Sequence, residues 1–424
     1  MHDPRVVREH PEVLREAMRR RNALDVTAPL LDRAEVLDRE RRAAIQAVEE
    51  KKAARNVITQ DVAKRKRAGE DASELMEQSR ALGDDISTLE RTLEASEGEL
   101  TSILLQLPNI TADEVPAGGE EHNTIVRTWG TPRDAVDVKP HWDVGAALGM
   151  LDLERGAKIS GSGFIVYRNR GARLVRALMN FMLDLHTTEH GYDETWVPAV
   201  VNRASMVGTS QFPKFEDEQY GVSGDDLFLI PTAEVPVTNL YRDEILTEAE
   251  LPRAFVAYSP CFRREAGSHG KDTRGLLRVH QFDKVELVRY ATPETSADEH
   301  ERLTHHAEAV LQRLELPYRV LLLAAGDTGF GSHKTYDLEV FAPGVGKWLE
   351  VSSSSNFVDF QGRRANIRYR PSAGGKPKFV HTLNASGVAF PRIIAALLEQ
   401  HQQPDGSVVI PTALRPYLGA DVLA

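Results

Sequence analysis

The chain of 424 residues contains a single cysteine, Cys261, so neither a disulfide framework nor a cysteine-cluster zinc site can form within it, and zinc is not expected. That scarcity fits a reducing, cytoplasmic setting. No apolar run reaches the roughly 18 residues a membrane span requires, and the opening MHDPRVVREHPEV lacks a signal-peptide core, so no membrane role is expected. A GxxxxGK[ST] loop and a GxGxxG following a strand are also missing, so any nucleotide is held some other way. The formal net charge of -11 argues against indiscriminate nucleic-acid binding, DNA included, yet permits local basic surfaces aimed at one polyanion.

Proline is absent from Leu30 to Leu107, a stretch dense in Ala, Leu, Glu, Lys and Arg. Such composition predicts long helices. Leu75, Leu82, Ile86, Leu89, Leu93, Leu100 and Ile103 fall on alternating three- and four-residue steps, a heptad seam that Ala34, Leu37, Ala44, Val48, Ile58 and Val62 repeat less regularly. Between the two runs, Gly69 supplies a break and Asp71-x-x-Glu74 a capping pattern, so two helices are expected to fold back antiparallel as an arm over about 30–106. Periodicity alone fits a dimerisation coiled coil equally well. Lys51, Lys52, Arg55, Lys64, Arg65, Lys66 and Arg67 gather in the outer half of the first helix and at the tip, where they either form a solvated face or track a phosphate backbone.

After the linker LQLPNITADEVPAGGEEHN the pattern changes to short β-rich runs such as DLFLIPTAEVPV, RAFVAYSPCFRRE, KWLEVSSSSNF and FVHTLNASGVAF, interspersed with helices. Without regular βαβ alternation, this predicts an antiparallel sheet with helices to one side and an α+β class overall. Two domains are expected, 1–110 and 111–424. In FRREAGSHGKDTRGLLRVHQFDKVE, two strands joined by a loop set Arg263 with Glu265 on one face and Phe282 with Glu286 on one face. A guanidinium that forks onto carboxylate or phosphate, an aromatic that stacks on a base, and a carboxylate that holds an amino group together suit an aminoacyl adenylate, while an isolated FRxE is equally a charged surface hairpin.

That hairpin resembles motif 2 of the seryl-tRNA synthetases, class II ligases of bacterial type. GFIVYRNRGARLVRALMNFMLDLHTTEHGYDETWVPAVV resembles motif 1 and TLNASGVAFPRIIAALLEQHQ motif 3, with LIPTAEVPVTN, LEVSSSSNFVDFQGRR and PHWDVGAALGMLDLERGAKISGSGF also similar. The resemblance implies a tRNA-binding coiled-coil arm, a class II antiparallel catalytic sheet flanked by helices, and a homodimer. It implies ATP-dependent activation of L-serine to seryl-adenylate, then transfer to tRNA(Ser), and to tRNA(Sec) where a cell has it.

By the same resemblance, Arg263, Glu265 and Arg392 are catalytic. Arg263 bridges the serine carboxylate and α-phosphate, Glu265 reads the adenine amino group, Phe282 stacks on adenine, and Arg392 sits against the outer phosphates. Arg264, Glu350, Val351, Ser352 and Ser353 complete the ATP site. Glu350 and Ser353 hold Mg²⁺, although strand alternation pairs Glu350 with Ser352. Thr232, Ala233 and Glu234 take the amino end of serine, with Glu286, Asn384 and Ser386 reading its hydroxyl; Thr232 and Glu234 share a face if they lie on a strand. His269, Lys271, Arg274 and Arg278 are candidates for the acceptor stem or ATP. His305 and His306, in a polar helical run, are expected at the surface.

The chain departs from the family pattern at Gly163, Ser354, Gly362, Ala385 and Pro391. Pro391 suits the first residue of a helix. These departures fit a paralogue with a biosynthetic or resistance role as well as a main enzyme. A ligase that hands its amino acid to a carrier protein, or a non-catalytic RNA-binding protein, are the other readings.

Overall fold

A computed structural model of the chain describes residues 1–265 and 274–424; His269 and Lys271 lie outside the described residues. It divides into two units, Met1–Pro108 and Asn109–Ala424.

In the first unit, short helices α1 (Pro4–Glu9) and α2 (Pro11–Arg20) precede the long pair α3 (Leu24–Ala68) and α4 (Ser73–Gln106). At 1.5 Å per residue, α3 extends roughly 65 Å. It starts before Leu30 and includes Pro29. The missing proline N–H orphans only the carbonyl of Asp25, which is exposed to water, so the helix continues. The heptad seam lies between the helices: Leu37, Val48, Ile86, Leu100 and Ile103 are buried, while Ile58, Val62, Leu75 and Leu82 toward the tip are half-buried. Gly69 ends α3 in the left-handed region (φ 73°) that glycine adopts without penalty. The capping pattern needs correction. Asp71 accepts from the Ser73 amide (2.9 Å) and hydroxyl (2.6 Å), but Glu74 does not reciprocate and instead meets Gln78.

In the second unit eight strands form one sheet: β1 (Thr124–Trp129), β2 (Asp193–Glu194), β3 (Arg253–Phe262), β4 (Gln281–Ala291), β5 (Tyr318–Leu322), β6 (Lys334–Ala342), β7 (Lys347–Val358) and β8 (His381–Ala389). Their spatial order is β1-β5-β6-β7-β8-β4-β3-β2, antiparallel throughout except for the β2–β3 contact. Val285 and Leu287 of β4, Leu383 and Ala385 of β8 and Val351 of β7 point into the main core, where they meet helices Arg170–Thr188, Ser296–Arg313 and Phe390–Gln400. Alternation then turns Lys284, Glu286, Asn384 and Ser386 to the opposite face, where they line a cleft together with Ser353.

Two strand readings are corrected. In DLFLIPTAEVPV only Leu227–Leu229 is strand, and Glu234 begins the short helix Glu234–Thr238. In β7 the register shifts, since Glu339 faces Glu350 while Leu338 faces Ser352. Val351 is therefore the extra residue of a bulge, and the usual alternation does not hold across it.

His306 also departs from expectation. It stacks on His190 (ring centroids 4.0 Å apart) with Tyr192 Oη 3.0 Å from its Nδ1, while His305 is exposed. Burial lowers the pKa of His306 to about 3 and those of His300 and His381 to about 4. These rings are neutral in the fold but take a proton near pH 6.5 once unfolded. Their contribution to stability is complete above that pH and declines below it, by about 1.4 kcal/mol per pH unit for a fully buried ring such as His300. Buried carboxyls such as Glu234 act in the opposite sense over the same range, so the histidine effect is read as a difference: from pH 7 to pH 5 the urea midpoint of the unaltered protein is expected to shift downward relative to that of His300→Gln. An equal change in the two proteins would contradict this.

Candidate active site

A cleft of about 540 Å³ opens on the polar face of the sheet. A smaller recess of about 90 Å³ adjoins it, with Arg263, Glu265, Arg278, Lys284, Glu350 and Ser386 common to both walls.

Arg263 and Glu265 lie just beyond the end of β3, not within it. The Arg263 amide donates to the His280 carbonyl (2.9 Å), which extends the pairing by one step and sets the exposed guanidinium over the Phe282 ring, 5.1 Å from its centre. Glu265 adopts φ 50° and pairs with Arg278 at 2.6 Å, so the chain turns here and strand alternation is not what unites the two residues. Arg264 donates to the Asp217 carbonyl (3.2 Å) and does not line either hollow.

Beneath Arg263 lies a buried polar network. Lys284 forms an ion pair with Glu286 and donates to Thr232 Oγ1 (2.8 Å) and Ser386 Oγ (3.3 Å). Thr232 Oγ1 in turn donates to Glu286 Oε2 (2.7 Å), and among the described residues Glu286 Oε1 has no partner. Lys284 was absent from the sequence-based candidates, yet period two along FDKVE places it on the face of Phe282 and Glu286. Glu234 accepts from Gln361 Nε2 (2.7 Å), whose own amide oxygen accepts from Thr382 (2.6 Å). Burial, and then the negative charge of Glu286, push the Glu234 carboxyl up to about 7. Thr232 and Glu234 meet because Thr232 Oγ1 accepts from the Glu234 amide (3.2 Å) at the opening of a helix, not by strand alternation. Ala233 is fully buried.

The bulge at Val351 brings Glu350 and Ser353 to the cleft together, while Ser352 donates to the Ser386 carbonyl (2.6 Å). Arg392 donates to the Glu350 carbonyl (2.6 Å) and the Leu277 carbonyl (3.2 Å). Among the described residues no three His, Cys, Asp or Glu side chains converge on one point. One carboxylate and one hydroxyl fit Mg²⁺ that takes its remaining oxygens from phosphates and water.

The other candidates are spread more widely. Arg274 stacks over Trp142, 4.5 Å from the ring centre. On the arm, Lys51 and Lys52 pair with Asp85 and Glu90 (both 2.7 Å), and the Arg55 guanidinium carbon lies 3.5 Å from where a Cβ at Gly83 would stand, an ordinary contact distance. Lys64, Arg65, Lys66 and Arg67 are exposed.

Most departures from the family pattern have local causes away from the cleft. Ser354 meets Thr304 Oγ1 (2.9 Å) on the helical side of the sheet, and Ala385 is fully buried there. A Cβ at Gly362 would stand 2.4 Å from the Val380 carbonyl oxygen, and Gly163 has φ 81° against His280. Pro391 borders the recess in the first turn of its helix, as the second residue and not the first.

The profile of the seryl-tRNA synthetase N-terminal domain matches residues 1–111, and that of the tRNA synthetase class II core domain (G, H, P, S and T) matches residues 214–401. The chain is 68% identical over 425 residues to a serine–tRNA ligase of Gemmatimonas aurantiaca, with 100% of each covered. The structure of seryl-tRNA synthetase from Pyrococcus horikoshii complexed with ATP superposes with a TM-score of 0.95 at 39% identity, covering 100% of this chain and 99% of that one. The cytoplasmic serine–tRNA ligase of Naegleria fowleri in complex with AMP gives 0.89 at 30% identity, covering 100% and 98%.

Proposed function

Because the chain belongs to the seryl-tRNA synthetase family, we propose that its cleft joins L-serine to ATP as seryl-adenylate and that its arm holds the tRNA that receives the seryl group. The protein is a class II serine–tRNA ligase. The observation that supports our site assignment best is the buried Oε1 of Glu286 at the cleft wall, which has no partner among the described residues and is an acceptor waiting for a small hydroxyl.

In the first step a serine carboxylate oxygen attacks the α-phosphorus, the bond to the bridging oxygen breaks, and pyrophosphate leaves. Arg263 bridges the two reacting groups and meets charge that grows at phosphorus, Phe282 stacks on adenine, and Glu265 accepts from the adenine amino group. Arg392 meets the outer phosphates. The serine ammonium lies against Thr232 and Glu234, and its positive charge favours the ionised form of a carboxyl that otherwise titrates near 7. Glu286, Asn384 and Ser386 read the side-chain hydroxyl, and Lys284 keeps Glu286 oriented. Glu350 and Ser353 would hold Mg²⁺, which supplies charge neutralisation between phosphates. In the second step the terminal ribose hydroxyl of tRNA attacks the seryl carbonyl and AMP leaves.

We extend the reading to a homodimer. Ile159 and Trp196, each 74% exposed, are apolar surface that a second copy would cover. No helix among the described residues is long and apolar enough to cross a membrane, and we place the reaction in the cytoplasm. The match of the N-terminal profile disfavours transfer to a carrier protein or a biosynthetic pathway.

Of the arm's basic groups, Lys64, Arg65, Lys66 and Arg67 are the best placed for phosphates, since Lys51 and Lys52 already have acidic partners. Reversing the four to glutamate is expected to raise the KM for tRNA in charging by roughly tenfold or more and to flatten its salt dependence, because each lost phosphate contact removes about 0.7–0.9 from the logarithmic slope. Serine-dependent pyrophosphate exchange without tRNA should be unchanged. Charging with an unaltered KM for tRNA would contradict the assignment.

A further inference from the structure

A histidine and a glutamate that the mechanism above does not use are both fully buried beside the smaller recess. His141 opens the helix His141–Ala147, and Glu399 lies on the helix Phe390–Gln400. Four donors converge on the Glu399 carboxylate: the His141 amide (2.9 Å) and Nδ1 (2.7 Å) on one oxygen, and the Gly344 (2.8 Å) and Val345 (3.2 Å) amides on the other. The far nitrogen of the ring, Nε2, accepts from the Leu276 amide at 3.0 Å. A backbone N–H can only donate, so Nε2 carries the lone pair and the ring proton sits on Nδ1, facing Glu399. The carboxylate thus sets both the orientation and the tautomer of the imidazole.

Leu276 belongs to the returning limb of the hairpin that forms the recess. One residue on, the Leu277 carbonyl accepts from Arg392, and the next residue, Arg278, pairs with Glu265. Gly275 is pressed against the same support. Its φ is 68°, and a Cβ there would lie 2.4 Å from His141 Nε2 and 2.7 Å from the Trp142 ring, whose face is covered by Arg274. The segment from Arg274 to Arg278 is therefore seated on His141 and Trp142, and it carries the groups that hold Arg392 and Glu265.

We propose that His141, oriented by Glu399, is a positioning residue for ATP, fixing the Leu276–Arg278 backbone so that Arg392 and Glu265 stand at the spacing the nucleotide requires. This rests on the reading of the recess as the ATP site. Serine lies against other residues, so the influence of His141 should be selective for ATP.

The variant His141→Asn keeps a donor toward Glu399 but has no acceptor that reaches the Leu276 amide, whereas in His141→Gln the side-chain oxygen regains that reach. In serine-dependent pyrophosphate exchange by the full-length protein, the Asn variant is expected to raise the KM for ATP about tenfold, the scale of one buried donor left unpaired, with the KM for serine changed by less than about twofold. Backbone amides over 274–280 should exchange faster with deuterium, and His141→Gln should restore most of both effects. An unaltered KM for ATP in the Asn variant, an equal rise in the KM values for ATP and serine, or a Gln variant no better than Asn would each overturn the proposal. If the Asn protein does not fold, Gly275→Ala displaces the ring from the other side. The same ATP-selective loss is then expected, and its absence counts equally against the proposal. Failure of the unaltered protein to exchange with serine would instead refute the functional reading on which the proposal rests.

Discussion

Replacing Arg263 by alanine is expected to lower serine-dependent pyrophosphate exchange by at least about 10²–10³-fold, the typical loss when one preorganised donor is removed from developing charge. Arg263 borders both the cleft and the smaller recess, as Arg278 and Lys284 do, but of the three it is Arg263 whose guanidinium is directed by the Phe282 face. Lysine should restore little, because a point charge cannot span a carboxylate and a phosphate as a planar guanidinium can. The guanidinium is exposed, so its removal leaves no cavity, and circular dichroism and the thermal midpoint should be unchanged. Exchange near the unaltered rate from a folded Arg263→Ala protein would show that this hairpin does not carry the chemistry.

Where periodicity governs the structure, it was legible in the chain. The heptad spacing of Ile86, Leu100 and Ile103 reports burial directly, because only one stripe of a helix can face its partner. The hairpin of β3 and β4 was legible for the corresponding reason in strands: Phe282 and Glu286 share a face, and Lys284 between them was there to be read.

Elsewhere the deciding contact is between residues distant in the chain. Glu350 and Ser353 reach one face only because β7 bulges at Val351, and nothing in LEVSSSSNF marks the position of the extra residue. Thr232 and Glu234 meet at a helix start that the apolar run LFLIPTAEVPV disguises as continuous strand. Gln361 reaches Glu234 across 127 residues of sequence, and His306 is half-buried by the rings of His190 and Tyr192, which follow another helix, a contact that the polarity of its own helix conceals. Tertiary packing made these choices, not local propensity.

The central claim is that the cleft recognises serine through its hydroxyl. Glu286 Oε1 is buried without a partner among the described residues, and Ser386 and Thr232 are tied to Lys284 beside it. Alanine fills nearly the same space as serine but offers no hydroxyl, so it would leave that acceptor unpaired, a defect that can cost about 10⁴-fold in kcat/KM. The direct measurement is isotopic exchange between pyrophosphate and ATP on the unaltered protein with magnesium and without tRNA, with L-serine and L-alanine compared side by side. The account expects exchange that depends on serine and is lower with alanine by about 10⁴-fold. Comparable rates with the two amino acids, or no exchange with serine, would contradict it.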